Sequence, residues 1–267
     1  MKLTILGSGT SHGVPVIGCA CPVCISPDSR DRRMRCSLYI EGPAGERAVI
    51  DTGPEFRLQA LKAGMERLDA VFLTHAHADH IHGLDDIRPL SREKPIPVYG
   101  NGPVIAEFRK RFAYIFRITQ TGGGKPRIAT CIADGPVRLG SLVFTPLPVK
   151  HGTLDILGWK IEQESAPEVS AVYLTDTSFI GGETMGIIGR PDLLIIGALR
   201  GRPHETHFTF GEALETAAGT GTPRAFLTHI CHEHSHRQIE EYCRSFVEKN
   251  APGLKAGPAW DGLGLTL

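Results

Sequence analysis

The chain contains 267 residues, of which 41% are hydrophobic, and its 29 lysines and arginines are balanced by 29 aspartates and glutamates. This length supports one large domain or two small ones. The balanced charge disfavours the basic surface of a general nucleic-acid or membrane binder. No apolar stretch approaches the roughly 20 residues that span a bilayer, so no membrane association is expected.

The start of the chain predicts a β-strand, because its apolar run is too short for a signal peptide. A cytoplasmic location is therefore the default expectation. The loop that follows, residues 7–15, is rich in glycine and small hydroxyl side chains but lacks both phosphate-loop patterns. His12 in this loop is a candidate substrate contact, although a flexible turn would explain the composition equally well.

Three of the seven cysteines are clustered, and their number is odd, which indicates metal binding rather than a disulfide framework. Cys19, Cys21 and Cys24 can converge on one tetrahedral ion, and zinc is the usual occupant of a sulfur-rich site. A fourth ligand must come from elsewhere. Cys36 is expected to pack as a small hydrophobic residue, whereas residues 229–236 offer better candidates. A cluster of reactive thiols is the alternative interpretation.

Three imidazoles and a carboxylate follow directly after an apolar run that predicts a buried strand. In an extended segment His75 and His77 point the same way and can reach one cation. Asp79 and His80 come where the chain must turn, and they can address a second cation. A polar loop with surface histidines is the competing interpretation.

A basic segment spans residues 91–127 and ends near a glycine run at residues 122–124, which predicts a loop. Its cationic side chains could guide a phosphorylated ligand, although scattered surface charge is the commoner explanation. These side chains are Arg109, Lys110, Arg111, Arg117, Lys125 and Arg127.

The histidine segment resembles the signature of the metallo-β-lactamase superfamily in its two-metal form, through the pattern His75-x-His77-x-Asp79-His80-x-x-Gly83-Leu84. The resemblance implies an α/β fold, a four-layer αββα sandwich. It also implies further ligands downstream, for which His151, Asp176 and His229 are the candidates. Each lies just past an apolar or β-branched run, as expected for ligands on loops at one end of a sheet.

The predicted ligands leave no autonomous half of the chain, because they extend from residue 75 to residue 229. We therefore expect a single domain over residues 1–267, with a small zinc-binding insert near residues 18–36.

A narrower resemblance rests on the cysteine insert combined with the pattern Leu227-Thr228-His229-x-x-His232. Together they are similar to the branch of cyclic-phosphate phosphodiesterases that serve the carbon-phosphorus lyase pathway, and the similarity covers nearly the whole chain. It implies that Cys19, Cys21, Cys24 and His232 hold a structural zinc ion. His234 and Cys231 remain open as alternatives for the fourth ligand.

The same resemblance implies roles for residues outside the ligand set. Asp51 follows a predicted strand and would orient a metal-bound imidazole without binding the metal itself. His207 takes the place of a substrate-contacting histidine, with His204 as its rival. Arg200, in the same loop, is a further candidate for substrate binding.

Local signals predict two helix starts in the C-terminal third. Thr209 with Glu212 and Ser235 with Gln238 form plausible capping boxes. Cys243 lies on the apolar face of the second helix and is expected in the core.

We assign the metal ligands to two unequal sites that would activate water between them. His75, His77 and His151 bind one ion, and Asp79, His80 and His229 bind the other, with Asp176 bridging. Zinc and manganese both suit this ligation. A hydroxide held between the ions would attack phosphorus in line, with His207 donating a proton or hydrogen bond. Asp79 and His207 thus form the expected catalytic set.

The expected function is binuclear, metal-dependent hydrolysis of a small cyclic or nucleotide-like phosphodiester. Nucleic acid is disfavoured as a partner by the charge balance, and a homodimer is an open option. Three alternatives remain: an RNA endonuclease like ribonuclease Z, a thioester or lactam hydrolase, and a non-catalytic, metal-stabilised binding protein.

Overall fold

The structure is a computed structural model that describes residues 1–117 and 124–267. Two of the three glycines at 122–124 therefore lie outside the described residues. The strands are β1 (Lys2–Gly7), β2 (Ser37–Glu41), β3 (Arg47–Ile50), β4 (Ala70–Phe72), β5 (Ile96–Gly100), β6 (Ile128–Ile132), β7 (Val137–Leu139), β8 (Leu142–His151), β9 (Leu154–Gln163), β10 (Ala166–Leu174), β11 (Leu193–Gly197), β12 (Arg224–Thr228), β13 (Lys255–Pro258) and β14 (Gly264–Thr266). The α-helices are α1 (Phe56–Lys62), α2 (Ala78–Ile81), α3 (Gly102–Arg111), α4 (Ala113–Phe116), α5 (Gly182–Ile188), α6 (Phe210–Thr220) and α7 (His236–Asn250), and 3-10 turns occur at Ser29–Asp31 and Leu84–Ser91.

The strands form two seven-stranded sheets. The N-terminal sheet has the order β14-β1-β2-β3-β4-β5-β6, and the C-terminal sheet has the order β13-β12-β11-β10-β9-β8-β7. In each sheet a run of strands is parallel, from β3 to β6 and from β10 to β13. Parallel pairing needs crossover connections, which helices supply here.

The core lies between the two sheets and contains the large aromatic side chains Phe72, Phe144, Trp159 and Tyr173. The outer face of the N-terminal sheet packs against α1 and α3 through residues such as Phe56 and Phe108. The outer face of the C-terminal sheet packs against α5, α6 and α7. These layers form the αββα sandwich, so the predicted fold is confirmed.

The carboxyl ends of the central strands meet at one edge of the sandwich. β3 leads into Asp51, β4 into the histidine segment, β10 into Asp176 and β12 into His229. Strand β8, which ends at His151, runs in the same direction as β10, because β9 is antiparallel to both. The topology therefore brings loops that are far apart in sequence to one place.

The segment between β1 and β2 joins this edge from the side. Gly9 forms bridges with Arg35 and with Ile230, and Val14 forms one with Arg33. The cysteine insert is thereby attached to the loop that follows β12. Over the two described ranges, every helix is too short or too polar to serve as a membrane span.

Candidate metal centre

His75, His77 and His151 form a first group, in which the ligand atoms lie within 4.8 Å of one another. His75 Nε2 lies 3.0 Å from His77 Nδ1. The Nδ1 atom of His151 lies 2.8 Å from the carbonyl oxygen of Thr206. Because that carbonyl can only accept, His151 donates from Nδ1 and keeps the Nε2 lone pair free. Three imidazole nitrogens thus face one position.

Asp79, His80, Asp176 and His229 form a second group with the same compactness. His80 Nε2 lies 3.1 Å from Asp79 Oδ2 and 3.1 Å from Asp176 Oδ2. The other oxygen of Asp176 lies 3.2 Å from His229 Nε2 and 4.0 Å from His151 Nε2. The Asp176 carboxylate therefore lies between the two groups.

The ring nitrogens of the second group provide a test of whether the site fits a metal. His80 Nε2 and both ring nitrogens of His229 are buried and lack a hydrogen-bond partner within the described part of the chain. A buried polar atom without a partner costs about 1–3 kcal/mol. Nitrogens and carboxylate oxygens that surround one point without aligned hydrogen bonds are arranged as ligands around a cation. The donor set fits divalent ions, because it combines imidazole with carboxylate.

Asp51 is hydrogen-bonded to His80 of the second group and to Thr74. Its Oδ2 atom accepts hydrogen bonds from His80 Nδ1 at 2.7 Å and from Thr74 Oγ1 at 2.7 Å, and its Oδ1 atom accepts from the Thr74 amide at 2.8 Å. The carboxylate is fully buried. It faces the side of His80 that points away from the group, and its role in orienting a metal ligand stays a prediction.

Backbone strain is concentrated at the same place. Asp51, Asp176 and His229 have φ values of 60°, 50° and 58°, and they are the non-glycine residues with positive φ in the described chain. Such conformations cost of the order of 1–3 kcal/mol each and persist where the surrounding structure imposes them. Each strained residue directs its side chain into the cluster or braces it.

A turn around Gly83 closes the histidine segment onto the Asp51 loop. The Thr52 amide donates to the His80 carbonyl at 2.7 Å, and the Gly83 amide donates to the Thr52 carbonyl at 2.9 Å. A Cβ atom at Gly83 would collide with the carbonyl oxygen of Gly53. The position therefore requires glycine for close approach.

Carboxylates dominate the electrostatics of the second group. Burial opposes the charged form of His80, but Asp176, Asp51 and Asp79 outweigh it and raise the pKa of His80 well above its ordinary value. Burial, reinforced by the charge on His80, holds the pKa of His75 well below its ordinary value. The buried carboxylates thus attract positive charge, which a divalent ion would supply.

His207 lies against both groups, whereas His204 lies farther out. The His207 ring centroid is 4.8 Å from that of His229 and 4.7 Å from that of His151, and its Nδ1 atom lies 3.7 Å from Asp176 Oδ1. Burial, together with the neighbouring His229, lowers the pKa of His207 to about 3. His204 is exposed and has its ring centroid 5.1 Å from that of His207.

Arg200 is largely committed to two partners, one in its own loop and one in the loop that follows β12. Its guanidinium lies 3.2 Å from Glu233 Oε1 and donates to the Pro203 carbonyl at 3.2 Å. Arg200 and His204 line an open cavity of about 550 Å³. The predicted substrate contact by Arg200 would be made from this cavity and stays a prediction.

The cysteine cluster lies beside the loop that carries His229. The Nδ1 atom of His232 lies 3.5 Å from Cys19 Sγ, 3.5 Å from Cys21 Sγ and 3.4 Å from Cys24 Sγ. One nitrogen cannot share hydrogen bonds with three thiols. With Zn–S near 2.3 Å and Zn–N near 2.0 Å, however, the edge of a tetrahedral site is about 3.5 Å. The spacing therefore fits a tetrahedral zinc site.

The two alternatives for the fourth ligand are not part of this compact group. His234 packs edge-on against Phe210, with ring centroids 5.3 Å apart, and Cys231 is buried. His12 packs edge-on against His232 at 5.4 Å, beside the cysteine cluster. Substrate contact by His12 stays a prediction.

A family model described as "Beta-lactamase superfamily domain" matches residues 46–230. The matched range contains all seven residues of the two histidine and aspartate groups. The chain belongs to the beta-lactamase superfamily. This membership agrees with the hydrolase that the sequence predicts.

The proteins that are similar to this chain are named for different activities. A crystal structure titled as a new diphosphatase from the PhnP family is 36% identical, with a TM-score of 0.86, and the match covers 100% of this chain and 97% of that one. The octanoyltransferase of Porphyromonas gingivalis is 39% identical over 260 residues, covering 96% of this chain but 51% of that protein. The chain thus spans about half the length of this curated relative. The zinc-bound PqqB structure from Methylobacterium extorquens, at 19% identity and a TM-score of 0.80, shares the fold and covers all of both chains.

One buried ion pair that supports this beta-lactamase superfamily site is not predicted from the sequence. Arg33 and Asp31 are buried and lie 2.9 Å apart. Arg33 donates to the carbonyls of Cys231 and His234, and Asp31 accepts from the His236 amide at 2.6 Å. The pair thereby holds the loop that carries His229 and His232. Its only sequence signal is the charged pattern of residues 28–33, which resembles an exposed surface.

Proposed function

We propose that the chain is a metal-dependent hydrolase that cleaves a small phosphodiester with two divalent ions. The observation that carries the proposal is the position of Asp176, whose carboxylate lies between a three-histidine group and an Asp-His-His group. Two adjacent sites of unequal charge suit the hydrolysis of a phosphodiester, because its attacking and leaving oxygens both develop charge.

The proposed ligand sets are those assigned from the sequence. His75, His77 and His151 would hold one ion, and Asp79, His80 and His229 the other, with Asp176 shared. When bound, such ions lower the pKa of water and neutralise charge on the phosphoryl group. Zinc and manganese are the candidates for these sites, and zinc for the cysteine cluster.

His207 would position the substrate at this centre. Its ring faces the cluster from the open side, being 12% exposed and stacked at 20° on His229. From there a ring N–H can donate a hydrogen bond to the phosphoryl oxygen or the leaving oxygen. This donor would strengthen as charge develops on the oxygen, which is how a fixed dipole accelerates phosphoryl transfer.

The substrate class follows from the chain's charge and from its diphosphatase relative. That relative is named a diphosphatase, and its match covers 100% of this chain. A phosphodiester and a diphosphate diester both present a singly charged phosphoryl centre flanked by two linking oxygens. We therefore propose a small cyclic or nucleotide-like substrate of this class, and the balanced charge of the chain disfavours long RNA.

Acyl transfer is the second candidate, because one relative is named an octanoyltransferase. The name belongs to a protein about twice as long, so that activity need not belong to the matched half. A metal centre can also polarise a thioester carbonyl. An octanoyl thioester therefore belongs in the substrate panel.

The experiment combines metal analysis with a substrate panel on the purified chain. We expect three metal ions per chain and hydrolysis of bis(4-nitrophenyl) phosphate or a cyclic nucleotide, with no turnover of octanoyl thioester, lactam or RNA probes. The Asp176→Asn variant serves as the control for contaminating activity. Turnover of the thioester without turnover of phosphodiesters would favour the acyl alternative, and one ion with no hydrolysis would favour a binding protein.

A further inference from the structure

A cavity of about 270 Å³ opens directly beside His75 and His77. One wall is formed by the face of α3 that carries Pro103 and Val104, and the opposite wall by Leu154 and Ile156 at the start of β9. The two metal-group histidines line the same cavity, so a group that occupies it is in contact with the candidate centre.

The walls of this cavity are apolar, although charged side chains stand at its rim. Glu107 and Arg111 both line it, and they are paired with each other at 2.8 Å. Lys110 adds a second cation 3.8 Å from Glu107. Asp155, which also lines the cavity, is paired with Lys150 at 2.6 Å. Each charged side chain that lines the cavity therefore has a partner of opposite sign, so the rim does not select a second phosphate.

One wall residue is exposed without an evident structural reason. The side chain of Leu154 is 48% exposed, although it lies opposite His151 in the β8–β9 pairing. An exposed leucine alone needs no explanation. Here it completes an apolar wall next to polar ligands, which is the usual composition of a small-molecule site.

The size of the cavity restricts its occupant to part of a substrate. Sites for drug-sized ligands have volumes of about 300–1,000 Å³, and this cavity lies just below that range. The cavity can hold a single ring of a substrate whose remaining part lies at the candidate metal centre.

We propose that this cavity receives an uncharged aromatic ring of the substrate, such as an aryl group or a nucleobase, and that Leu154 is a specificity-determining residue. The inference rests on the proposed function, since it places the phosphoryl group at the histidine and aspartate groups. It deepens that function by selecting phosphodiesters that carry a ring over purely aliphatic ones.

The test measures direct binding of phenylphosphonate and methylphosphonate to the zinc-loaded protein by isothermal titration calorimetry. Both probes present the same phosphonate, and one of them adds the ring. We expect the wild type to bind phenylphosphonate more tightly. The Leu154→Ala variant should bind phenylphosphonate with an affinity that is lower by roughly three- to tenfold, as expected for loss of one apolar contact. Its affinity for methylphosphonate should be unchanged.

Leu58→Ala is the matched control, because Leu58 is 50% exposed on α1 and does not line the cavity. This variant should keep the wild-type affinity for both probes. Equal weakening of both probes in Leu154→Ala would overturn the inference, since it would mean that the substitution disturbs His151. An unchanged affinity ratio would overturn it as well.

The outcome is separable from that of the proposed function. If phenylphosphonate shows the expected selectivity while the wild type hydrolyses no phosphodiester, the ring site stands and the phosphodiesterase proposal fails. If the wild type hydrolyses phosphodiesters and the ratio does not respond to Leu154, only the ring site fails.

Discussion

The carboxylate of Asp51 accepts a hydrogen bond from Nδ1 of His80 at 2.7 Å, and both side chains are fully buried. This contact decides which ring nitrogen of His80 carries the proton, because the carboxylate can only accept from it. With a divalent ion bound, the other nitrogen, which lies 3.1 Å from Asp79 and from Asp176, would offer its lone pair to that ion. A residue outside the candidate ligand set thus fixes the tautomer of a residue within it.

Replacing Asp51 by Asn should weaken metal binding without unfolding the chain. Asparagine tolerates the positive φ of this position, but its amide can also donate, so it no longer enforces one tautomer of His80. We expect a 10- to 100-fold loss of metal affinity, measured as ions retained per chain after dialysis against a graded chelator. Asp192→Asn is the matched control, since Asp192 accepts from the Ser170 amide at 2.9 Å outside the metal groups. Equal metal loss in both variants would contradict the role of Asp51.

Substitutions of His207 and Asp176 should affect turnover and metal binding differently. His207→Ala removes a hydrogen-bond donor at the open side of the site, so kcat should fall by about 10²- to 10³-fold while both active-site ions remain. Asp176→Asn removes the carboxylate that lies between the two groups, so ions and activity should be lost together. Paired metal analysis and steady-state kinetics measure both effects. Retention of two ions in Asp176→Asn would remove the basis for a shared carboxylate.

Cys21→Ser should lower the stability of the fold more than it lowers the metal content of the histidine and aspartate groups. A structural zinc ion contributes binding free energy to folding, about 10–16 kcal/mol in zinc-finger peptides, so loss of one of its thiolates should lower the melting temperature markedly. Cys131→Ser provides the comparison, because Cys131 is partly exposed on β6, outside the cysteine cluster. Thermal unfolding and zinc content of the two variants give the answer. If both substitutions had the same small effect, the cysteine cluster would not be a structural metal site.

Asp261 should make stability depend on pH. Burial raises the pKa of this carboxyl group to about 6, although it accepts from the Ser8 and Met34 amides. The folded state therefore binds a proton more tightly than the unfolded state, and the resulting stabilisation, present below pH 4, is lost as the pH rises through 6. The difference is about 3 kcal/mol.

Urea unfolding of the wild type and Asp261→Asn at pH 4.5 and pH 7.5 tests this sign. Metal loss at low pH affects both proteins, so the difference between them is the relevant quantity. Asp261→Asn should be most destabilised relative to the wild type at pH 4.5, and less so at pH 7.5. A difference that does not vary with pH would show that the carboxyl group titrates at its ordinary value.

Signals within a few residues predict local structure well in this chain. Both capping boxes form, with Thr209 and Ser235 accepting from the N3 amides. Cys243 is fully buried on the core face of α7, and Cys36 is buried directly before β2, as predicted. These predictions succeed because capping and helical periodicity depend on neighbours in the sequence.

Contacts between distant loops are much harder to predict. Nothing near Arg33 in the sequence indicates that its guanidinium is buried and binds carbonyls about 200 residues away. The sequence likewise gives no sign that Glu233, which lies in another loop, pairs with Arg200. The seven clustered residues form the exception, since each follows a strand whose carboxyl end the fold fixes at one edge. The extent of the domain and the roles of these residues stay predictions.

His229 and His232 are three residues apart, yet one faces the aspartates and the other faces the cysteines. A tether of this length reaches only about 10 Å even when fully stretched, and the two residues within it, Ile230 and Cys231, are hydrogen-bonded to Ser8 and Arg33. A shift of the backbone at one of these histidines is therefore expected to shift the other. Oxidation of the cysteine thiols would then shift the backbone that positions His229, so we expect it to lower turnover as well as stability.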